Sequence, residues 1–443
     1  MRRSLLAFGL LSTLVCHQVF AIGQYQVILD TKKAIIRVTA CFDNHPAESL
    51  TTGFESSADF LVIKSLRNLT LDRRNVELSV SSKNSCSHYT VDLEKAVNQR
   101  QATKFNGGWL VNNQAWLWQP NDNAEIIINF NSPQNTKMAV SVPWKSTTLG
   151  YVAGNTPIGW TSRMAFGNIV NFPIQTGSKT LRASIIGLND NEKIKEYEHW
   201  LTESVFAVSQ LYRRFPIDQA QILVTPIGKK REAIPWAEVQ RAGLPAVHLF
   251  IDQFRPITEF TQDWTTVHEL SHLLLPKVAY RDRWLSEGLA SYYQNVAKAR
   301  AGLLTEQQAW QNLKLGFAKG RKALTGNLRT SRSTKHLYWG GAAFYLLADV
   351  RLRNLPKPQT LDQVLDNLQR CCLPSEVLWS AEQLTAKLDS LSNSSIFTDL
   401  LNDEALSINF PISSIQQNNP NSLVSLSIPQ IMRTKLSLVE TID

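Results

Sequence analysis

The residues with the clearest chemical potential lie in Trp264-Thr-Thr-Val-His268-Glu269-Leu-Ser-His272-Leu-Leu-Leu275. Two histidines four apart share one face of a helix. Imidazoles so placed can hold one divalent metal, usually zinc. Glu269, directly after the first histidine, can reach a water on that metal and take its proton. Phe260, Trp264, Val267, Ser271 and Leu274 make a small or apolar stripe beside this face, so the segment is predicted to be a buried helix. Pro276 stops it. A catalytic zinc needs three protein ligands and an open position. The third ligand is expected at Glu287, after an eleven-residue connector from Pro276 to Ser286. The run from Trp284 to about Ala299 is predicted to be a second helix, with Glu287 near its start facing the histidines. The metal ligands are then His268, His272 and Glu287, with one zinc per chain. An ordinary helix with two packed histidines would also satisfy the five-residue pattern. Glu287 in its glutamate-glycine context argues against that reading.

With these residues in place, the chain resembles the gluzincin metallopeptidases. Ser286-Glu-Gly-Leu-Ala-Ser-Tyr-Tyr-Gln-Asn-Val-Ala-Lys-Ala-Arg-Ala-Gly-Leu-Leu304 is similar to the glycyl aminopeptidase family, and Trp284-Leu-Ser-Glu287-Gly288 to the aminopeptidase N family. The likeness runs from Leu244 to Arg353 and thins toward Pro411. The spacer from His272 to Glu287 is shorter than in either family. The resemblance implies a thermolysin-like zinc domain that hydrolyses peptide bonds, with Glu269 as general base. It implies that Ala246 to Ile251 is the edge strand beside the cleft, which can bind an extended peptide through its backbone. It also implies Tyr338, in His336-Leu-Tyr338-Trp-Gly340-Gly341, as the oxyanion partner. That element resembles the Tyr-x-Lys-Gly of the aminopeptidase N family, with Gly340 in place of the lysine. Tyr345 and Tyr293 compete for the role. Both families anchor a free amine with a carboxylate just before the edge strand. The corresponding stretch, Arg241 to Val247, has none. Glu238 is the nearest substitute, or simply a solvated glutamate.

The rest of the chain must carry this site. Met1 to Ala21 has the pattern of a secretory signal peptide: Arg2 and Arg3, an apolar run from Leu5 to Val15, then Val19-Phe20-Ala21, which offers small residues at the cleavage positions. The apolar run is too short for a membrane span, and no other stretch approaches one. The protein is therefore expected to be exported, periplasmic in a diderm bacterium and otherwise secreted. The remaining ~420 residues suit two to three domains. The net charge of +9 becomes +7 when Arg2 and Arg3 are removed, and the charge is spread along the chain. No basic stripe or module points to nucleic acid.

Residues 22–187 read as an amino-terminal all-β domain. Its predicted strands are Tyr25 to Leu29, Ala34 to Ala40, Phe60 to Ile63, Val76 to Val80 and Glu125 to Phe130. Trp109, Trp116, Trp118, Trp144 and Trp160 are expected in its packing. Cys41 and Cys86 fall in this one region and are expected to bridge. Cys371 and Cys372 are adjacent and are expected not to pair with each other. Residues 188–411 read as the catalytic domain, including a helical carboxyl-terminal lobe, and 412–443 as a tail with a late strand at Leu423 to Ile428. The fold class is α+β. The complete set of His268, Glu269, His272 and Glu287 favours an enzyme acting on peptides, aminopeptidase-like, over a fold-retaining binding protein without turnover. The same chemistry would serve a zinc hydrolase of a non-peptide substrate.

Overall fold

The computed structural model describes residues 22–42, 47–81, 86–121, 125–134, 138–154, 157, 159–177, 179–405 and 423–433. The expected signal segment, 1–21, and most of the expected tail lie outside these.

In the amino-terminal part, strand Ile22–Asp30 pairs antiparallel with Ile35–Phe42 and parallel with Glu125–Asn131. Strand alternation puts Tyr25, Val27 and Leu29 on one buried face, joined by Ile36, Val38 and Ala40. Trp109, Trp116 and Trp118 are fully buried against this core. Cys41 and Cys86 are disulfide-bonded, as expected. The predicted strand at Phe60 to Ile63 is absent. Ser57–Phe60 is instead one helical turn, and only Leu61 bridges to Val91. The run is too short to sustain a ladder, and Phe60 is buried from the helical turn.

The second part, which carries the candidate site, is built on a five-stranded sheet. Its order is Ile169–Thr176, Lys179–Ile186, Gln221–Pro226, Ala246–Ile251 and Trp236–Gln240. Two of these strands lie upstream of residue 188. The edge strand is Trp236–Gln240, antiparallel to Ala246–Ile251. Ala246–Ile251, expected at the edge, is interior, because Gln221–Pro226 pairs with its other side. Its almost continuous burial is that of a strand covered on both faces.

Helix Asn191–Ser209 begins at Asp190, whose side chain accepts from the amides of Glu192 and Lys193. The predicted metal-site helix is shorter than its apolar stripe suggests. Phe260 lies on a separate helix, Ile257–Gln262, and Asp263 is extended. The site helix runs Thr265–Ser271 and tightens to a 3-10 turn at His272–Leu274. The next helix, Trp284–Arg300, carries Glu287 and is called the glutamate helix here. Helix Thr334–Arg353 carries Tyr338 and is called the tyrosine helix.

These last two helices cross at glycine on glycine. A Cβ on Gly288 would lie 2.4 Å from Gly341 Cα, and one on Gly341 would lie 2.3 Å from the Trp284 carbonyl oxygen. Only residues without a Cβ allow that approach. The tail is not extended either. Leu423–Arg433, where a strand was expected, is a helix that buries Ile428, Ile431 and Met432 against the helical lobe. The spacing of those three buried residues is helical, and their burial decides the form. Cys371 and Cys372 do bond to each other, contrary to expectation, where helix Leu361–Cys372 ends and the chain becomes extended at Leu373. No helix among the described residues is long and apolar enough to cross a membrane.

The crossing generates a prediction. Gly341→Ala should destabilise the protein by about 1–3 kcal/mol, the usual cost of overpacking a close contact. Urea unfolding would measure it, and an unchanged midpoint would show that the helices can part without cost.

Candidate metal centre and active-site cleft

The structure brings His268, His272 and Glu287 together, with one ligand atom from each lying within 4.8 Å of the others. Both histidines present Nε2 to Glu287 Oε2, at 3.3 Å from His268 and 3.6 Å from His272. Each Nδ1 is held from behind. His268 Nδ1 lies 2.8 Å from Gln294 Oε1, and His272 Nδ1 lies 2.8 Å from Ser286 Oγ. Gln294 Oε1 can only accept, which puts the His268 ring proton on Nδ1, and Ser286 Oγ can accept from His272 Nδ1 in the same way, the arrangement that leaves Nε2 as a lone-pair donor. Two imidazole nitrogens and one carboxylate oxygen, aimed at one point, form a donor set suited to zinc. Gln294 and Ser286 were not anticipated from the sequence. Gln294 lies seven residues after Glu287, on the same helix face, and that spacing was the available signal.

Electrostatics in the site is shaped by burial. Burial alone would raise Glu287, but His272 and His268 outweigh it and hold the carboxyl down at about 2. Burial lowers His272 to about 3. At His268 burial also lowers, but the carboxylates of Glu287 and Glu269 outweigh it and raise the group. Burial raises Glu269 to about 7, with Glu287 and Glu238 adding to the rise and His268 opposing it.

The cleft measures about 480 Å³ and is lined on one side by edge-strand residues and on the other by both site helices. Glu269 faces it and makes no hydrogen bond through its carboxylate among the described residues. Tyr338 stands across from it, its ring stacked on His268 at 5.4 Å and 10°. Its hydroxyl reaches Glu287, and burial raises its pKa. The two competing tyrosines do not reach the cleft. Tyr293 is fully buried and donates to Asp362 Oδ1 at 2.8 Å, and Tyr345 is fully buried without a hydrogen-bond partner among the described residues. At Gly340, where the resembled element has a lysine, a Cβ would lie 2.6 Å from the Leu328 side-chain tip. Trp264 is half exposed at the cleft wall, edge-on to His268.

Glu238 is not a solvated glutamate. It lies on the edge strand, lines the cleft, and pairs with Arg163 from the β part. Gln240 Nε2 donates to the same oxygen, Oε1, at 3.1 Å, and buried His248 lies 3.9 Å from it. Oε2 has no partner among the described residues. A carboxylate on the cleft-side edge strand therefore lies upstream of Arg241, because that strand precedes Ala246–Ile251 in the chain.

A helix with two histidines, a following helix with a glutamate and an antiparallel edge strand define the gluzincin class of metallopeptidases. Residues 266–342 match the M61 glycyl aminopeptidase family. Three solved structures share the fold. An aminopeptidase N family protein from Idiomarina loihiensis superposes with a TM-score of 0.59 at 14% identity, covering 92% of this chain and 78% of that one. Leukotriene A4 hydrolase from Saccharomyces cerevisiae gives 0.51 at 11% identity, with 87% and 67% covered. An M1 zinc metallopeptidase from Deinococcus radiodurans, solved with a Tyr-Ser-Ala substrate, gives 0.50 at 13% identity, with 86% and 93% covered. No curated protein sequence matches the chain. The chain thus has a motif segment similar to glycyl aminopeptidases on a fold shared with the aminopeptidase N group, and these likenesses indicate a peptidase-type hydrolase.

The hold on the histidines can be tested directly. Gln294→Met should weaken zinc binding roughly 10- to 100-fold, the usual effect of losing such an outer partner. Competition with a chelator measures this, and equal affinity would mean Gln294 does not orient His268.

Proposed function

We propose that the chain is a zinc-dependent peptidase with amino-terminal polarity. The observation that carries this is the convergence of His268, His272 and Glu287 beside a carboxylate, Glu269, that is not one of the three. Zinc bound there would lower the pKa of a water and polarise the scissile carbonyl. Glu269 is free to take the proton of the attacking water and return it to the leaving amine. The Tyr338 hydroxyl, raised in pKa and so protonated, donates a hydrogen bond toward the oxyanion. The edge strand Trp236–Gln240 can pair with an extended peptide backbone. Glu238 Oε2 can accept the substrate's free ammonium, while Arg163 and Gln240 hold Oε1 and so orient the carboxylate. The peptide seen on the Deinococcus relative supports a peptide substrate. We also read the chain as exported, supported by the signal pattern at 1–21 and the Cys41–Cys86 bond.

Two substitutions separate binding from catalysis. His272→Ala should remove most of the zinc, whereas Glu269→Gln should keep it and lower peptide hydrolysis by roughly two to four orders of magnitude. Elemental analysis and cleavage of an unblocked peptide give the two readouts. Parent-like cleavage by Glu269→Gln would sink the mechanism even with zinc present. Tyr338→Phe should lower kcat by roughly 100- to 1,000-fold with zinc retained. A kcat within threefold of the parent's would remove Tyr338 from the mechanism.

A further inference from the structure

Four acidic residues line the cleft: Glu232, Glu238, Glu269 and Glu287. Three basic ones, Arg241, Lys277 and Arg283, line it with them. Glu287 and Glu238 are already engaged, by the histidines and by Arg163. The basic groups are not neutralised in the same way. Arg241 is half-buried, and its side chain makes one hydrogen bond, from Nη2 to the His272 carbonyl oxygen at 2.7 Å. No carboxylate pairs with it among the described residues. Lys277 is half-buried too, and its ammonium lies 4.1 Å from the centre of the Trp160 ring. It has no ion pair or side-chain hydrogen bond among the described residues. Burial lowers its pKa, and the charge of Arg241 nearby adds to the effect.

Two like charges placed near each other, each half-buried and without a counter-ion among the described residues, are unfavourable in the free protein. An anion placed between them would relieve both. The site also opens sideways. Arg241 and Pro276 line both the cleft and an adjoining cavity of about 190 Å³. The walls of that cavity include Trp144, Trp160 and Leu273. Exposed Lys145 and Glu376 sit at its edge, and neither pairs with Arg241 or Lys277. The place therefore offers two cations beside an apolar pocket for carbon atoms. The guanidinium fork suits a planar carboxylate, and its Nη1 and Nε are unused.

We propose that Arg241 and Lys277 form a subsite that binds a carboxylate of the peptide substrate at the junction of the cleft and this cavity. The inference rests on the peptidase reading above. Two sources supply such a carboxylate: an acidic side chain on the substrate's first residue, or the carboxyl terminus of a short peptide.

The test uses the zinc-loaded Glu269→Gln protein, which should bind without turnover. Calorimetry compares Glu-Ala-Ala-amide with Gln-Ala-Ala-amide, and Ala-Ala-Ala with its carboxyl-terminal amide. In one pair the carboxylate peptide should bind roughly 10- to 100-fold more tightly, the range for hydrogen bonds to charged groups. The pair that shows the difference identifies the source. Adding Lys277→Met, which keeps the apolar stem, should cut the difference to threefold or less. Arg241→Gln should do the same. Because Arg241 also holds the His272 carbonyl, Lys277→Met decides the matter if that variant does not fold. Equal binding within both pairs, or a difference that survives Lys277→Met, overturns the subsite. If the parent enzyme cleaves the peptides, the peptidase reading survives that result. If no peptide is bound or cleaved, both fall.

Discussion

Much of the molecule depends on one contact, the backbone-to-backbone crossing of the glutamate and tyrosine helices at Gly288 and Gly341. Side chains at either position would force the helices apart, because their Cβ atoms would overlap backbone of the facing helix. The crossing lies one residue after Glu287 and three after Tyr338, so it fixes how far apart those two groups stand. The same helix face continues the work. Glu287, Gln294 and Lys298 are seven and then four residues apart, on one side of the helix. Gln294 turns His268. Lys298 Nζ donates to the carbonyls of Thr261, Gln262 and Asp263 at 3.2, 3.0 and 2.8 Å. Those are the carbonyls left open where the preceding helix ends. One helix face thus supplies a candidate ligand, orients another and sets where the site helix begins.

Another face of that helix is tied inward by buried polar groups. Tyr292 donates to Asp349, and Tyr293 and Arg300 donate to Asp362. Asp349 also accepts from Arg353 Nε and the Leu361 amide, each at 3.0 Å. Arg300 Nε donates to the carbonyl of Ile431, which brings in the last described helix. Buried ion pairs cost desolvation and add little net stability. Their value here is directional. Asp349 accepts from three segments, and Asp362 ties its own helix to two donors of the glutamate helix, so alternative packings would strand charge.

The cleft needs a second wall, and the β part provides it. Gly243 has φ +98°, and a Cβ there would lie 2.3 Å from the Pro143 carbonyl oxygen. The next amide, Leu244 N, donates to that oxygen at 2.7 Å. This seam brings Trp144 and Trp160 beside the catalytic sheet, and Arg163 onto Glu238. Trp160 is accordingly not a core residue like Trp109, Trp116 and Trp118. It is half-buried, under Lys277.

What the sequence determined by itself was local. The four-residue spacing of His268 and His272 dictates a shared helix face, and Glu287 in its Glu-Gly context after Trp284 marks the candidate third ligand. Strand alternation around Tyr25 and Val38 and the pairing of Cys41 with Cys86 were equally legible. Tertiary structure decided everything set by non-local pairing. Strand order in a sheet is not written in strand sequence, so Ala246–Ile251 looked like an edge and proved interior, while Glu238 looked solvated and lines the cleft. Leu423 to Ile428 suits either a strand or a helix until the apolar surface that covers it is known. Choosing Tyr338 over Tyr293 and Tyr345 required knowing which face of each helix the glycine crossing turns toward the histidines. Periodicity reports which residues share a face, and only packing reports what that face meets.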